Sequence, residues 1–173
     1  MANPPHPDLK SGLYARDYNE VKALGALTGS TRPPAQTELA NFYSDNFILM
    51  WQRTLRTIAT EEVDNIADRA RLFAMTTTAS ADAAIGAWAS KVFYNFWRPI
   101  TAIQEGDNDG NPKTTGQPSW LPFLVTPPYP DYTSGANNLT ASIFRSLQHF
   151  FGTDQMTFEV TTLASAATRK TRV

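Results

Sequence analysis

Hydrophobic residues recur at steps of three and four along most of the chain after Pro34, which is the spacing of one buried helix face. The pattern predicts a helix of about six turns, then a second helix with Thr60 as its N-cap. We expect a break at residues 76–78, after which the pattern resumes and ends before Arg98-Pro99. The apolar positions are Leu39, Phe42, Tyr43, Phe47, Trp51, Leu55 and Ile58, then Val63, Ile66, Ala67, Ala70 and Phe73, then Ala81, Ala84, Ile85, Trp88, Val92 and Phe96.

A segment rich in proline, glycine, asparagine and aspartate separates these helices from the last one. It covers residues 106–132, and a loop of that length inside a domain is usually functional. The last helix follows Ser134-Gly135, and Gly152 is its predicted C-cap. Its apolar stripe is Leu139, Ile143, Leu147, Phe150 and Phe151. Residues 157–162 alternate weakly, which predicts a short strand, and residues 164–173 carry no clear signal.

With 173 residues, the chain has the length of one domain or of a piece of one. Residues 1–36 contain many prolines and predict an extended arm with one short helical turn near Asn19–Leu27. Residues 37–173 form the predicted helical domain. No apolar run approaches the roughly 20 residues that cross a bilayer, and the first ten residues lack a signal-peptide core, which leaves the compartment open.

Composition excludes several classes of function. The net charge of −1 argues against a nonspecific nucleic-acid-binding protein, because such proteins need a basic face. The absence of cysteine excludes disulfides, cysteine-ligated zinc, iron–sulfur clusters and thiol nucleophiles. Residues 107–111 superficially resemble a calcium loop, but the glycine has the wrong offset and Pro118 stands where a glutamate ligand is needed. We interpret them as a solvated turn and predict no metal site.

Two short segments carry candidate chemistry. On one helix, Lys91 and Arg98 would lie roughly 20° apart around the axis and about 10.5 Å apart along it, with Asn95 between them. Both cations could then converge on one anion. Ser134 offers a hydroxyl and Gly135 a backbone N–H at the positive end of a helix. Each segment alone has a simpler interpretation, since such cations are often merely solvated and such a serine is often only an N-cap.

Together, the two segments resemble the site of a known family. The spacing Lys91-x6-Arg98-Pro99, the later Ser134-Gly135, and residues 95–99 and 126–135 as whole phrases resemble the vanadium-dependent haloperoxidases, most closely their bacterial branch. The type 2 phosphatidic acid phosphatases share this site. The resemblance runs from about residue 14 to about residue 162. It implies an all-α helical bundle, of which this chain would be the central portion, incomplete at both ends.

The resemblance implies vanadate as the cofactor, held by Lys91, Arg98, the Ser134 hydroxyl and the Gly135 N–H, with phosphate able to take its place. The implied activity is the oxidation of halide by hydrogen peroxide to hypohalous acid. Lys91, Arg98 and Ser134 would be the catalytic residues, with Lys91 polarising the peroxide. A phosphatase acting on phosphoesters through the same donors is the alternative enzyme.

The sequence departs from the family pattern at two histidines. Ala136 stands where the family has the histidine of a Ser-Gly-His triplet, its general acid/base, and no histidine follows Arg172, where a vanadate-ligating histidine is expected. His149 lies fifteen residues past Ser134, about 22 Å along the predicted helix, and the reach of His6 on the arm is not fixed by sequence. We therefore expect impaired activity and a natural chain that continues beyond residue 173.

A catalytically silent domain is the third interpretation. A partial domain would leave its apolar stripes uncovered, and exposed apolar faces are usually buried by association. This predicts a homo-oligomer, or a complex with a missing C-terminal segment.

Overall fold

The computed structural model describes residues 3–163 and 168–172. Its helices are α1 (Gly12–Leu24), α2 (Pro34–Phe42), α3 (Phe47–Glu62), α4 (Ile66–Tyr94), α5 (Pro99–Gln104) and α6 (Gly135–Phe151), with a 3₁₀ turn at Gly106–Asn108. The predicted mainly helical fold is confirmed. Among the described residues, no helix is long and apolar enough to cross a membrane.

A two-stranded antiparallel sheet follows the last helix. Strand β1 (Thr157–Thr161) lies where the weak alternation predicts it, and it pairs with β2 (Thr168–Arg172). Thr157 stands opposite Arg172, and Thr161 opposite Thr168. The second strand is not predicted from sequence, because its pairing rather than its own pattern defines it. Residues 164–167 and 173 of the same tail lie outside the described residues.

The chain divides into two compact units, and the first consists of residues 3–37 and 89–133. Its core contains Tyr14, Tyr18, Ala26, Ile103 and Trp120, and α1 packs against α5. The expected single turn near Asn19–Leu27 is wrong, since α1 begins at Gly12 and has 13 residues. The Ser11 hydroxyl starts this helix by accepting a hydrogen bond from the Tyr14 N–H at 3.1 Å.

The second unit consists of residues 38–88, 134–163 and 168–172. Its core draws on α2, α3, α4, α6 and β1 and on Val63, which follows α3. The core residues are Phe42, Met50, Trp51, Leu55, Ile58, Ala59, Val63, Leu72, Ile143, Leu147, Phe158 and Val160. The predicted six-turn helix is divided, because the Asn46 side chain caps α3 by accepting from the Ile48 and Leu49 N–H groups. The predicted N-cap role of Thr60 is wrong, since its hydroxyl donates to the Arg56 carbonyl inside α3.

Helix α4 is continuous over 29 residues. The predicted break at residues 76–78 is absent, because the Thr76 hydroxyl donates to the Leu72 carbonyl at 2.8 Å and is satisfied within the helix.

The turn at residues 107–111 also differs from expectation. Asp109 is buried rather than solvated, and it accepts hydrogen bonds from the Asn111 N–H and the Thr114 hydroxyl.

Candidate functional site

Lys91 is a buried cation in the last turn of α4, with 2% of its surface exposed. Its ammonium donates to the carbonyl oxygens of Pro130 at 2.8 Å and Asp131 at 2.6 Å, and it lies 5.2 Å from the centre of the Tyr129 ring. Burial lowers the pKa of Lys91, the neighbouring Arg98 lowers it further, and Asp131 opposes them. The charge is therefore costly where it lies, and the loop carbonyls are among the groups that offset this cost.

Arg98 contacts the same loop as Lys91. It precedes Pro99 in an extended conformation, as proline requires of the residue before it. Its Nε donates to the Tyr129 carbonyl at 2.6 Å, and its Nη1 pairs with the Asp131 carboxylate at 2.9 Å. The guanidinium also lies 4.7 Å from the centre of the Tyr129 ring, a cation–π distance. The structure thus brings Lys91 and Arg98 together on residues 129–131.

The two cations meet because the helix stops between them. Asn95 follows the last residue of α4 with a φ of 42°, in the left-handed region, and its N–H donates to the Lys91 carbonyl. Asparagine tolerates this conformation better than most residues with a side chain. The expected helical spacing of Lys91, Asn95 and Arg98 is therefore wrong, and the shared partner is a loop rather than a helix face.

Ser134 and Gly135 belong to the second unit, where they start α6. The Ser134 hydroxyl accepts a hydrogen bond from the Asn137 N–H at 3.2 Å, so this serine is the N-cap. Gly135 is buried, and a Cβ built on it would lie 2.7 Å from the Trp88 ring. Close packing of that ring therefore requires glycine. As an N-cap acceptor, the serine hydroxyl still has its own proton to donate.

The functions of Tyr129 and Asp131 are not predicted from sequence. Both act through backbone carbonyls as well as side chains, and the prolines around them limit the donors that the loop itself can supply. One sequence signal could have identified Tyr129 and Asp131. They lie in a proline-rich loop whose carbonyl groups need hydrogen-bond donors from other segments, and this loop follows two cationic residues in the chain.

The two histidines lie apart in the chain and in their surroundings. His6 stacks on Phe96 with ring centres 4.1 Å apart, and its Nδ1 lies 2.9 Å from the Pro7 carbonyl. His149 lies in the last turn of α6, where the helix dipole favours a cation. In the part of the chain that the structure describes, no cluster of three or more acidic or histidine side chains could hold a metal ion.

Comparison with known proteins gives one family and one relative. The family model described as the VCPO second helical-bundle domain matches residues 71–173 of this chain. This range contains Lys91, Arg98 and Ser134-Gly135. Vanadium chloroperoxidase of Curvularia inaequalis is 35% identical over 106 residues, and the match covers 54% of this chain and 16% of that protein. The match thus spans about a sixth of the relative's length. No solved structure matches the chain.

Proposed function

The chain belongs to the family of the VCPO second helical-bundle domain, and from this membership we propose that it supplies donors to a vanadate-binding haloperoxidase site. The observation that supports the proposal is the convergence of Lys91 and Arg98 on residues 129–131. The two cations outnumber the single Asp131 carboxylate beside them, and the positive charge that remains favours an oxyanion.

The donor chemistry of the chain fits such a group. Lys91 and Arg98 carry donors and no acceptors, and Arg98 presents a planar fork that matches oxyanion geometry. Ser134 adds a hydroxyl, and Gly135 adds a backbone N–H at the start of α6. We assign the holding of vanadate to these four residues, and we expect phosphate to bind to the same donors.

Bound vanadate would supply the oxidation of halide by hydrogen peroxide. Arg98 would neutralise negative charge on the oxyanion, and Lys91 would donate a hydrogen bond to a peroxide oxygen. Because burial lowers the pKa of Lys91, its ammonium is a stronger acid than a solvated lysine. Ala136 provides no proton-transferring group beside Gly135, so we expect slow turnover in this chain.

Calorimetric titration with orthovanadate tests the proposal. We expect weak binding that Arg98→Ala abolishes. Arg16→Ala is the matched control, because Arg16 also pairs with an aspartate at 3.0 Å but on an exposed surface, and it should leave the affinity unchanged. Absence of binding, or equal losses in the two variants, would contradict the proposal.

Two activity assays separate the haloperoxidase from the phosphatase alternative. Vanadate-dependent bromination of a dye by peroxide and bromide, lost in Arg98→Ala, would support the haloperoxidase. Release of phosphate from a generic phosphoester, without peroxide or halide, would support the phosphatase.

A separate observation favours self-association. The third apolar stripe, predicted to form a buried face, is exposed along α4: Ile85 is 69%, Trp88 41% and Val92 76% exposed. These residues lie at i, i+3 and i+7 on one helix face. We propose that a second copy of the chain covers this face. Light scattering should show a dimer that Val92→Glu dissociates, and a monomer at high concentration would refute it and leave a missing segment as the alternative cover.

A further inference from the structure

The first unit contains a cavity of about 220 Å³ with a largely apolar wall. Several of the rings that form this wall also contact one another: the centre of the His6 ring lies 4.1 Å from that of Phe96 and 6.2 Å from that of Tyr132. A small molecule in the cavity would therefore lie beside more than one ring. The aromatic lining residues are His6, Tyr14, Tyr18, Phe96, Trp97 and Tyr132.

The carboxylates of Asp17 and Asp131 also line this cavity, whereas no lysine or arginine of the described residues does. Asp17 pairs with its neighbour Arg16 on an exposed surface, where an ion pair is weak. Arg98 pairs with Asp131 at 2.9 Å, but the carboxylate rather than the guanidinium forms part of the wall. Because charges interact more strongly at shorter distance, the wall favours a positive ligand.

The two tyrosines of α1 experience negative potential from other carboxylates. Burial raises the pKa of Tyr14 and of Tyr18 to about 12, and the Asp109 carboxylate adds to both rises. Asp107 adds further to the rise at Tyr18. These two aspartates do not line the cavity, so they are a second source of negative charge. A potential that disfavours a phenolate there would stabilise a cation.

We propose that this cavity binds a small organic cation of the quaternary ammonium class. The faces of tryptophan, tyrosine and phenylalanine rings attract such cations. A primary ammonium would need acceptors for its three N–H groups, and a largely apolar wall supplies few of them. A quaternary ammonium has no N–H group, and its methyl groups can pack against the rings. A dry cavity of about 150 Å³ holds benzene, so 220 Å³ accommodates a trimethylammonium group with a short substituent.

Ligand-detected NMR titration with choline, without vanadate or peroxide, tests this inference separately from the proposed function. The matched probe is the neutral alcohol in which a tert-butyl group replaces the trimethylammonium group of choline. The two molecules have nearly the same shape and differ in charge. We expect saturable choline binding to the unmodified chain and at least about fivefold weaker binding of the neutral alcohol.

Two variants test the rings and the charge of the wall. Phe96→Leu keeps an apolar side chain but removes a ring from the lining, and it should weaken choline binding roughly twofold to fivefold. Phe93→Leu is its control, because Phe93 is 78% exposed and does not line the cavity. Asp17→Asn should weaken choline binding about twofold. Asp82→Asn, which changes the net charge equally at an exposed position of the second unit, should not.

Circular dichroism verifies that the variants are folded, and the comparison of the two probes on the unmodified chain does not depend on any variant. Equal affinity for choline and the neutral alcohol would overturn the inference and identify the cavity as merely apolar. Absence of saturable choline binding would overturn it as well, and so would equal choline affinities of Phe96→Leu and Phe93→Leu.

Discussion

The guanidinium of Arg98 is paired at 2.9 Å with the carboxylate of Asp131. The cation proposed to neutralise an oxyanion thus already has an internal anion as its partner. An incoming oxyanion must displace this carboxylate or share the guanidinium with it. Asp131 is the more exposed member of the pair, with 41% of its side-chain surface exposed against 19% for Arg98. Its carboxylate is therefore the group that an oxyanion would displace towards solvent.

Removing the internal carboxylate should therefore strengthen anion binding. We expect Asp131→Asn to raise the affinity for orthovanadate roughly twofold to tenfold, as measured by calorimetry, because a partly exposed ion pair is weak. Asp17→Asn changes the net charge equally at the exposed pair with Arg16 and should have a smaller effect. Weaker binding by Asp131→Asn would show that the carboxylate belongs to the site rather than competing for it.

Lys91 is expected to stabilise the fold independently of any ligand. Lys91→Met fills a similar volume but removes the donor to the Pro130 and Asp131 carbonyls, so we expect a loss of about 2–4 kcal/mol in the free energy of unfolding. Chemical denaturation followed by circular dichroism measures it. Lys113→Met, at an exposed lysine, should stay within about 0.5 kcal/mol of the unmodified chain. Similar values for the two variants would contradict the structural role.

Gly135 is expected to be required by packing. Gly135→Ala would place a methyl group 2.7 Å from the Trp88 ring, at a cost of about 1–3 kcal/mol in stability. Adding Trp88→Leu should recover part of that loss. Gly86→Ala is the control on α4, where a Cβ meets nothing within 4 Å, and it should stabilise the helix by about 0.5–1 kcal/mol. Thermal denaturation compares the four chains.

Asp45 should make stability depend on pH in the acid range. Its carboxylate accepts from the Leu163 N–H at 2.9 Å and pairs with Arg53 at 2.6 Å. The hydrogen bond from Leu163 is the main cause that lowers the pKa of Asp45. The folded state thus binds this proton less tightly than the unfolded state, whose aspartate pKa is about 3.9. The stabilisation is complete above that value and is lost as the pH falls through the lowered folded pKa.

Asp45→Asn should accordingly be less stable than the unmodified chain near neutral pH, by about 1–3 kcal/mol, with the difference disappearing in strong acid. Urea denaturation at a series of pH values measures this dependence. The stability of Asp82→Asn, a change at an exposed position of α4, should depend on pH in the same way as that of the unmodified chain. A constant difference in the free energy of unfolding between Asp45→Asn and the unmodified chain at every pH would refute the link between Asp45 protonation and stability.

The parts of the fold that sequence predicts are those set by neighbouring residues. Ser134 and Gly152 cap α6 where expected, because each cap involves residues within one turn. The division at Asn46 and the continuity through Thr76 depend on which of several polar side chains bonds the backbone, and periodicity does not show this. Hydrophobic periodicity also predicts the apolar face of α4 that carries Ile85, but it does not show whether that face is buried.

The candidate site divides in the same way. The sequence singles out Lys91 and Arg98 as candidates, but their contacts with Asp131 join residues more than thirty positions apart and depend on the path of the loop.

The left-handed conformation of Asn95 has an energetic consequence beyond its own position. By ending α4 there, it places two cations on one loop, so their charges are thermodynamically coupled rather than independent. Each cation raises the cost of holding the other, and removing one relieves that cost. The losses of folding stability in Lys91→Met and Arg98→Ala should therefore not sum in the double variant.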